Sequence, residues 1–261
     1  MSSSKHIHHN TTHRQLNTMG YADEFYTVIR SADSTMYFPS NTPSDFYVRL
    51  PHTLELHGDW CVGVNEVWVS KQWYNVSGAY IEVCLSGDEY EKWGVSTGYY
   101  TDNKQLVDEL NSVVGDGSDG SVAFTYGVVN HRLYISTKPG VKVKLSPNLC
   151  EIVGHTIDTE ISGSWASTTV MDVNKKDNII YIHCDVISGQ LFSDNILPVV
   201  KVLDTSYGDF GSVVHDNILS TYANVDKKTF DIIHIELRTS PGDLIKFEGG
   251  QTIIQLHFRR R

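Results

Sequence analysis

TFDIIHIELRTSPGDLIKFEGGQTIIQLHFRRR, residues 229–261, decides the fold class. Ile233, Ile235 and Leu237 alternate with His234, Glu236 and Arg238, and after a Ser-Pro-Gly-Asp turn Ile254, Leu256 and Phe258 repeat the pattern. Successive side chains of a strand point to opposite faces, so each run predicts a strand with one buried and one polar face. A last run of this kind is expected to be needed for folding. Arg259, Arg260 and Arg261 then form a short basic spur fixed to a rigid element.

Upstream, short alternating runs recur with turn residues between them. They predict strands at 24–30, 45–50, 60–69, 80–85, 122–126, 132–136, 141–145, 179–187 and 199–203, besides those at 232–239 and 252–258. One helix interrupts them, from about Asn103 to Val114, with Leu106, Val107, Leu110, Val113 and Val114 as its apolar stripe. Thr101 or Asp102 is placed to cap its start and Gly115 to end it. A helical turn is expected at 147–153, where Pro147 suits the first helical position. Many strands against one good helix is not an alternating βα series, and no internal repeat marks a propeller, so the pattern implies an antiparallel sandwich. The polar segment 204–228 reads as an elaborated loop within a single domain.

At 261 residues the chain is long enough to bury a core without staples. Cys61, Cys84, Cys150 and Cys184 sit singly among apolar neighbours without metal-site spacing, which predicts buried free thiols. The absence of any run of about eighteen apolar residues predicts no membrane span, and residues 1–20 lack the apolar segment of a secretory signal. The expectation is a soluble protein made inside a cell. A formal charge of −10 argues against a nucleic-acid surface spread over the molecule, leaving local basic patches only. The first 20 residues carry His6, His8, His9, His13 and Arg14 with almost nothing apolar, and read as a disordered arm preceding a domain at 21–261.

The chemical motifs give way to plainer readings. Gly94-Val-Ser-Thr-Gly98 fits the G-x-S-x-G nucleophile elbow, but that elbow needs a strand running directly into a helix of a parallel sheet. A cupin-type metal site would need His-x-His on a core strand; the His6/His8 pair lies in the arm, and His183, His234 and His257 fall singly on polar-facing strand positions. Gly115-Asp-Gly-Ser-Asp-Gly120 lacks the ligand spacing of a calcium loop and reads as a connection. The tryptophans lack the interleaved basic residues of a base-stacking platform. No catalytic, metal or cofactor site is expected.

Beyond these motifs, six blocks occur in a fixed order. They are Tyr37-x-Pro39-x-Asn41-Thr42 leading to Phe46-x-Val48-x-Leu50; Leu56-x-Gly58-x-Trp60-x-Val62-Gly63-Val64-x-Glu66 with Trp73-x-Asn75-Val76; Tyr99-Tyr100 with Leu106, Leu110 and Asn111; Leu145-Ser146-Pro147-x-Leu149-Cys150-x-Ile152-Val153-Gly154; Tyr181-Ile182-x-Cys184-Asp185-x-Ile187-x-x-Gln190; and the closing block from Phe230-Asp231 to Phe258-Arg259. Together they resemble the minor capsid, or penton, proteins of Polinton (Maverick) elements, adintoviruses and virophages. Two positions depart from that pattern: Gly189 stands where proline is usual, and Ser193 where glycine is usual.

The resemblance implies an all-β, single jelly-roll antiparallel β-sandwich with one amphipathic helix and extra loops. It implies a structural protein of the virion, made in the host cytoplasm or nucleus, that forms homopentamers at the fivefold vertices of a capsid built mainly of double-jelly-roll major capsid protein. His6, His8, His9, His13, Arg14 and Arg259–Arg261 are then expected assembly contacts, the basic spur meeting carboxylates or packaged DNA. A carbohydrate- or receptor-binding jelly-roll module is the alternative on the same strand pattern.

Overall fold

The computed structural model describes residues 23–175, 178–218, 221–239 and 242–261. The arm carrying His6, His8, His9, His13 and Arg14 lies outside the described residues, as do Ser240 and Pro241 of the Ser-Pro-Gly-Asp turn.

The first strands are β1 (Glu24–Arg30), β2 (Asp45–Glu55) and β3 (Trp60–Ser70). A long excursion follows: β4 (Tyr80–Cys84), β5 (Glu91–Gly94), α1 (Asn103–Ser118), β6 (Val122–Gly127), β7 (Arg132–Thr137), β8 (Lys142–Leu145), α2 (Pro147–Val153) and β9 (Ser164–Ala166). The chain returns through β10 (Ile179–Cys184), β11 (Gln190–Phe192), β12 (Asn195–Leu197), β13 (Val199–Asp204), β14 (Val213–Asp216), β15 (Ala223–Asn224), β16 (Thr229–Arg238) and β17 (Thr252–Arg260).

Eight of these strands pair as a nested antiparallel hairpin: β1 with β17, β2 with β16, β3 with β14, and β10 with β13. Rolling that hairpin up also brings β17 against β3 and β10 against β16, giving sheets of order β1-β17-β3-β14 and β13-β10-β16-β2. This is a jelly roll. β16 and β17, the two runs that decided the fold class, therefore lie in opposite sheets and face each other across the core. Ile233, Ile235, Leu237, Ile254, Leu256 and Phe258 are all fully buried, while His234, Glu236 and Arg238 face outward. The β3–β17 ladder carries one bulge, where Asn65 is inserted and its amide donates to Gln255 Oε1 at 2.6 Å.

The excursion between β3 and β10 builds a second core of its own, with Ile81, Leu106, Leu110, Leu133, Ile135, Val143 and Leu149 at its centre. Its short sheets are β5-β4-β8 and β6-β7-β9. Helix α1 begins with a reciprocal cap: Asp102 Oδ1 accepts from Gln105 N at 2.8 Å, and Gln105 Oε1 accepts from Thr101 N at 2.8 Å. It does not stop at Gly115 but runs to Ser118, ending where Asp119 and Gly120 turn left-handed at φ 47° and 64°. Leu106, Leu110 and Val114 anchor the helix in this core as far as Gly115. Helix α2 spans 147–153 as expected and ends on Gly154 at φ 73°.

The segment 204–228 is not simply a loop: β14 within it closes the first sheet, and β15 pairs with β3. At the tip of the β11–β12 hairpin, Ser193 adopts φ 54° in the left-handed region that favours glycine. The four cysteines are buried and free. Burial pushes the Cys150 thiol up to about 11 and the Cys184 thiol up to about 12.

Antiparallel pairing divides the connections between two poles. Among the described residues the insertion pole holds 31–44, the excursion 71–175, 205–212 and 242–251. The terminal pole holds 56–59, 185–198, 217–218 and 221–228, together with Asp23 and Arg261. Lys71 ties the insertion pole together: its buried ammonium donates to the carbonyls of Thr205 (2.9 Å), Gly208 (2.9 Å) and Tyr207 (3.4 Å).

Candidate functional site

Strand β17 delivers the three arginines to the terminal pole, where each finds a different partner. Arg259 lies opposite Glu24 in the ladder and sets its guanidinium 4.1 Å from the Tyr222 ring centroid. Arg260 donates its backbone N–H to Asp23 O at 2.6 Å and turns its side chain toward the Asp23 carboxylate, 3.9 Å away. That side chain also passes over Gly58, whose φ of 88° and lack of Cβ leave room: a Cβ there would lie 3.2 Å from the Arg260 Nε and Nη2. Arg261 N–H donates to Asp59 O at 2.9 Å. Lys228 closes the group, donating to Gly58 O at 2.7 Å with Asp59 at 3.8 Å.

Beneath this surface His257 is buried, stacked on Tyr26 at 4.2 Å. Its Nδ1 is 2.6 Å from the Tyr222 hydroxyl, and Nε2 lies 3.3 Å from a Glu24 carboxylate oxygen. The arginine over Tyr222 is thus fixed from below by an aromatic–histidine stack. Arg259, Arg260, Arg261 and Lys228 meet Asp23, Glu24 and Asp59 here, so the charge is largely balanced locally. All three arginines are exposed at the surface, where their guanidinium donors can bind carboxylate or phosphate oxygens. Asp23, the first described residue, lies at the same pole as the spur.

The other chemical candidates separate cleanly. Ser96 follows β5 but precedes α1 by several residues, and its backbone N–H donates to Glu109 Oε1 at 3.2 Å; no strand-to-helix elbow forms. Among the described residues one cluster has metal-ligand character: Asp45, His234 and Glu236 on the outer face of the second sheet. His234 Nε2 is 2.7 Å from Asp45 Oδ1, and both Glu236 oxygens accept from Arg238, at 2.7 and 3.1 Å. The Arg238 hydrogen bonds hold the Glu236 carboxyl below its usual range. A cation would have to displace that guanidinium, so the geometry is that of an ion-pair network bracing β2 against β16. His183 beside it has its pKa lowered, chiefly by burial and then by Arg238.

Where the excursion meets the jelly roll, a cleft of about 190 Å³ is lined by residues including Trp73, Tyr74, Asn75, Asn148, Thr239 and Lys246. Trp73 is buried and its indole N–H has no hydrogen-bond partner among the described residues.

No protein-family model matches the chain, and no curated protein matches it. Among solved structures it is similar to the selenomethionine-labelled mavirus penton protein, at 12% identity and TM-score 0.49 over 90% of this chain and 99% of that one. It is also similar to a chain of the Sputnik virophage cryo-EM structure, at 8% identity and TM-score 0.46 over 92% of this chain and 98% of that one.

Proposed function

We propose that this chain is a structural capsid protein: a penton whose homopentamer occupies the fivefold vertices of an icosahedral capsid built of double-jelly-roll major capsid protein. The observation that carries the reading is where the six ordered sequence blocks fall. Trp60 to Glu66 lies on β3, Tyr181 to Cys184 on β10, and the closing block on β16 and β17, all strands of the nested hairpin. The blocks at 99–111 and 145–154 fall on α1 and α2 with the turns that lead into or out of them, so they describe the excursion as well as the sandwich.

On this reading residues 1–20 form an arm and 21–261 the capsid domain. The insertion pole and the terminal pole then have separate tasks. Arg259–Arg261 supply exposed cations at one pole, and they, with the arm residues His6, His8, His9, His13 and Arg14, are the assembly contacts, suited to carboxylates of neighbouring shell subunits or to packaged DNA. The location is the virion, after synthesis in the host cytoplasm or nucleus. Native mass spectrometry of the purified protein tests the reading, together with its copy number in particles. Five subunits per complex and about sixty copies per particle are expected from fivefold vertices. A monomer in solution together with absence from particles overturns it.

The second reading, a carbohydrate- or receptor-binding module, would use the cleft where the excursion meets the jelly roll through the exposed ring of Tyr74; Trp73 there is buried, and the amides of Asn75 and Asn148 are already bonded to Tyr100, Asn174 and Ser77. A glycan array that returns ligands lost on Tyr74→Ala would support it.

A further inference from the structure

The β6–β7 hairpin of the excursion ends in a turn with an apolar apex. Residues 128–131, Val-Val-Asn-His, join the two strands, and the His131 N–H closes the turn on Gly127 O at 2.7 Å. Turns favour Asn, Asp, Ser and Gly, which suit the tight backbone and stay hydrated. Here Val128 and Val129 stand at the apex, 72% and 96% exposed. Val170, 56% exposed, stands beside them, placed there by the Met171 N–H that donates to His131 O at 2.7 Å. Three exposed aliphatic side chains at one end of one hairpin form a patch rather than scattered surface residues.

Two tyrosines brace this turn. Tyr126, packed against the second core, sets its hydroxyl 2.7 Å from His131 Nδ1, and Asn103 donates to the same hydroxyl at 3.2 Å. Tyr134 lies along Gly127, where a Cβ would fall 2.8 Å from its Cε2, and its hydroxyl accepts from the Asn130 amide at 2.5 Å. His131 is held at φ 54°, in the left-handed region that disfavours a side chain. A turn tied in this way keeps its valines in one position, so little ordering is left to lose when they are buried. Charge is distributed to match. The chain is formally −10, yet none of its 31 Asp and Glu falls between 121 and 138, and Arg132 at the foot of the turn is exposed.

We propose that the β6–β7 apex is a lipid contact, Val128 and Val129 entering the acyl boundary of a membrane with anionic headgroups while Tyr134 and Arg132 stay at headgroup level. From the apex downward the hairpin passes from aliphatic side chains through tyrosine to arginine. That is the order in which a bilayer changes from acyl chains, through the zone that holds aromatic rings, to its charged surface. A hairpin without carboxylates in a negatively charged chain is the part able to approach anionic lipid without repulsion. Position agrees with this occupant. The excursion lies at the pole opposite Arg259–Arg261, so a spur directed to the shell or to packaged DNA turns the hairpin's pole away from the particle interior. The inference rests on the penton reading for that orientation and for its repetition, since several weak contacts on one particle bind together far more tightly than one.

The test uses the full-length protein, whose four native cysteines are buried, and phosphatidylcholine vesicles with and without phosphatidylserine. Val129→Cys is labelled with an environment-sensitive fluorophore, and Lys138→Cys, at the other end of the same hairpin, is the labelled control. Vesicles containing phosphatidylserine should carry the protein upward in a flotation gradient and shift the Val129 label to an apolar emission, leaving the Lys138 label unchanged. The double variant Val128→Asp, Val129→Asp should keep the parent circular dichroism spectrum and lose roughly tenfold or more of the vesicle-bound fraction. Flotation unchanged in that variant overturns the proposal, as does a Val129 label that shifts with purified major capsid protein but not with vesicles, which assigns the apex to a protein partner. Absence of flotation in a sample that native mass spectrometry shows to be pentameric overturns the lipid contact and leaves the penton reading standing. Flotation of a monomeric sample with the Val129 label shifted supports the contact and counts against the pentamer alone.

Discussion

Replacing Lys71 by methionine probes the joint between sandwich and excursion. The side chain is buried, and its ammonium is held by two carbonyls at 2.9 Å and a third at 3.4 Å, all in the 205–212 connection. Hydrogen bonds from a charged donor contribute about 1.5–3 kcal/mol each, so the two short ones sum to about 3–6 kcal/mol. Methionine preserves most of the stem's packing and removes the desolvation cost of the buried charge, itself several kcal/mol, but it leaves the Thr205 and Gly208 carbonyls without their donor. The net expectation is a loss of about 2–4 kcal/mol, since removing one partner of a buried polar cluster costs more than the cluster gains by forming. Urea unfolding followed by circular dichroism reads the loss, and hydrogen exchange should show lost protection concentrated at 205–212. The backbone bonds Lys71 N–H to Ser212 O and Gly211 N–H to Lys71 O, both 2.8 Å, remain as internal controls. Stability within about 0.5 kcal/mol of the parent, with exchange at 205–212 unchanged, would refute the clamp.

Four further outcomes follow from particular side chains. Phe258→Ala removes a ring stacked on Phe25 at 4.8 Å in the sandwich core and should cost about 3–5 kcal/mol in the same unfolding assay. Ser193→Gly relieves a left-handed residue at the hairpin tip and should stabilise by up to about 1 kcal/mol. His183 has its pKa depressed by burial, so its contribution is present above the unfolded value near 6.5 and is lost as pH falls through the lower folded value; His183→Gln should flatten the fall in stability between about pH 7 and 5. Replacing Arg259, Arg260 and Arg261 by serine should leave unfolding nearly unchanged but lower incorporation into particles, read by quantitative immunoblot at physiological salt.

Alternation carried most of the sandwich because β1 and β16 bury one face and turn the other outward, and β17 buries Ile254, Leu256 and Phe258 on one face although His257 on the other is also buried. β14 escaped for the opposite reason: only Val213 and Val214 mark it, inside a stretch rich in glycine and serine, and its pairing with β3 is a property of the partner. The second core was equally silent. No linker separates it, and its strands carry the same short pattern as those of the jelly roll, so nothing local says which sheet each joins. Helix α1 runs past Gly115 and ends where Asp119 and Gly120 take left-handed φ, a stop that no single glycine announced. The basic spur could be read directly, but its counter-charges Asp23 and Asp59 are separated in the chain by β1 and β2 and meet only through the fold. Asp45 and His234 are 189 residues apart, and only the β2–β16 register brings them to 2.7 Å.

The central claim is tested most directly by an icosahedral reconstruction of the particle, refined locally at the vertex. The account predicts five copies of this sandwich around the fivefold axis. A vertex filled by another chain, with this protein absent from the shell, would contradict it.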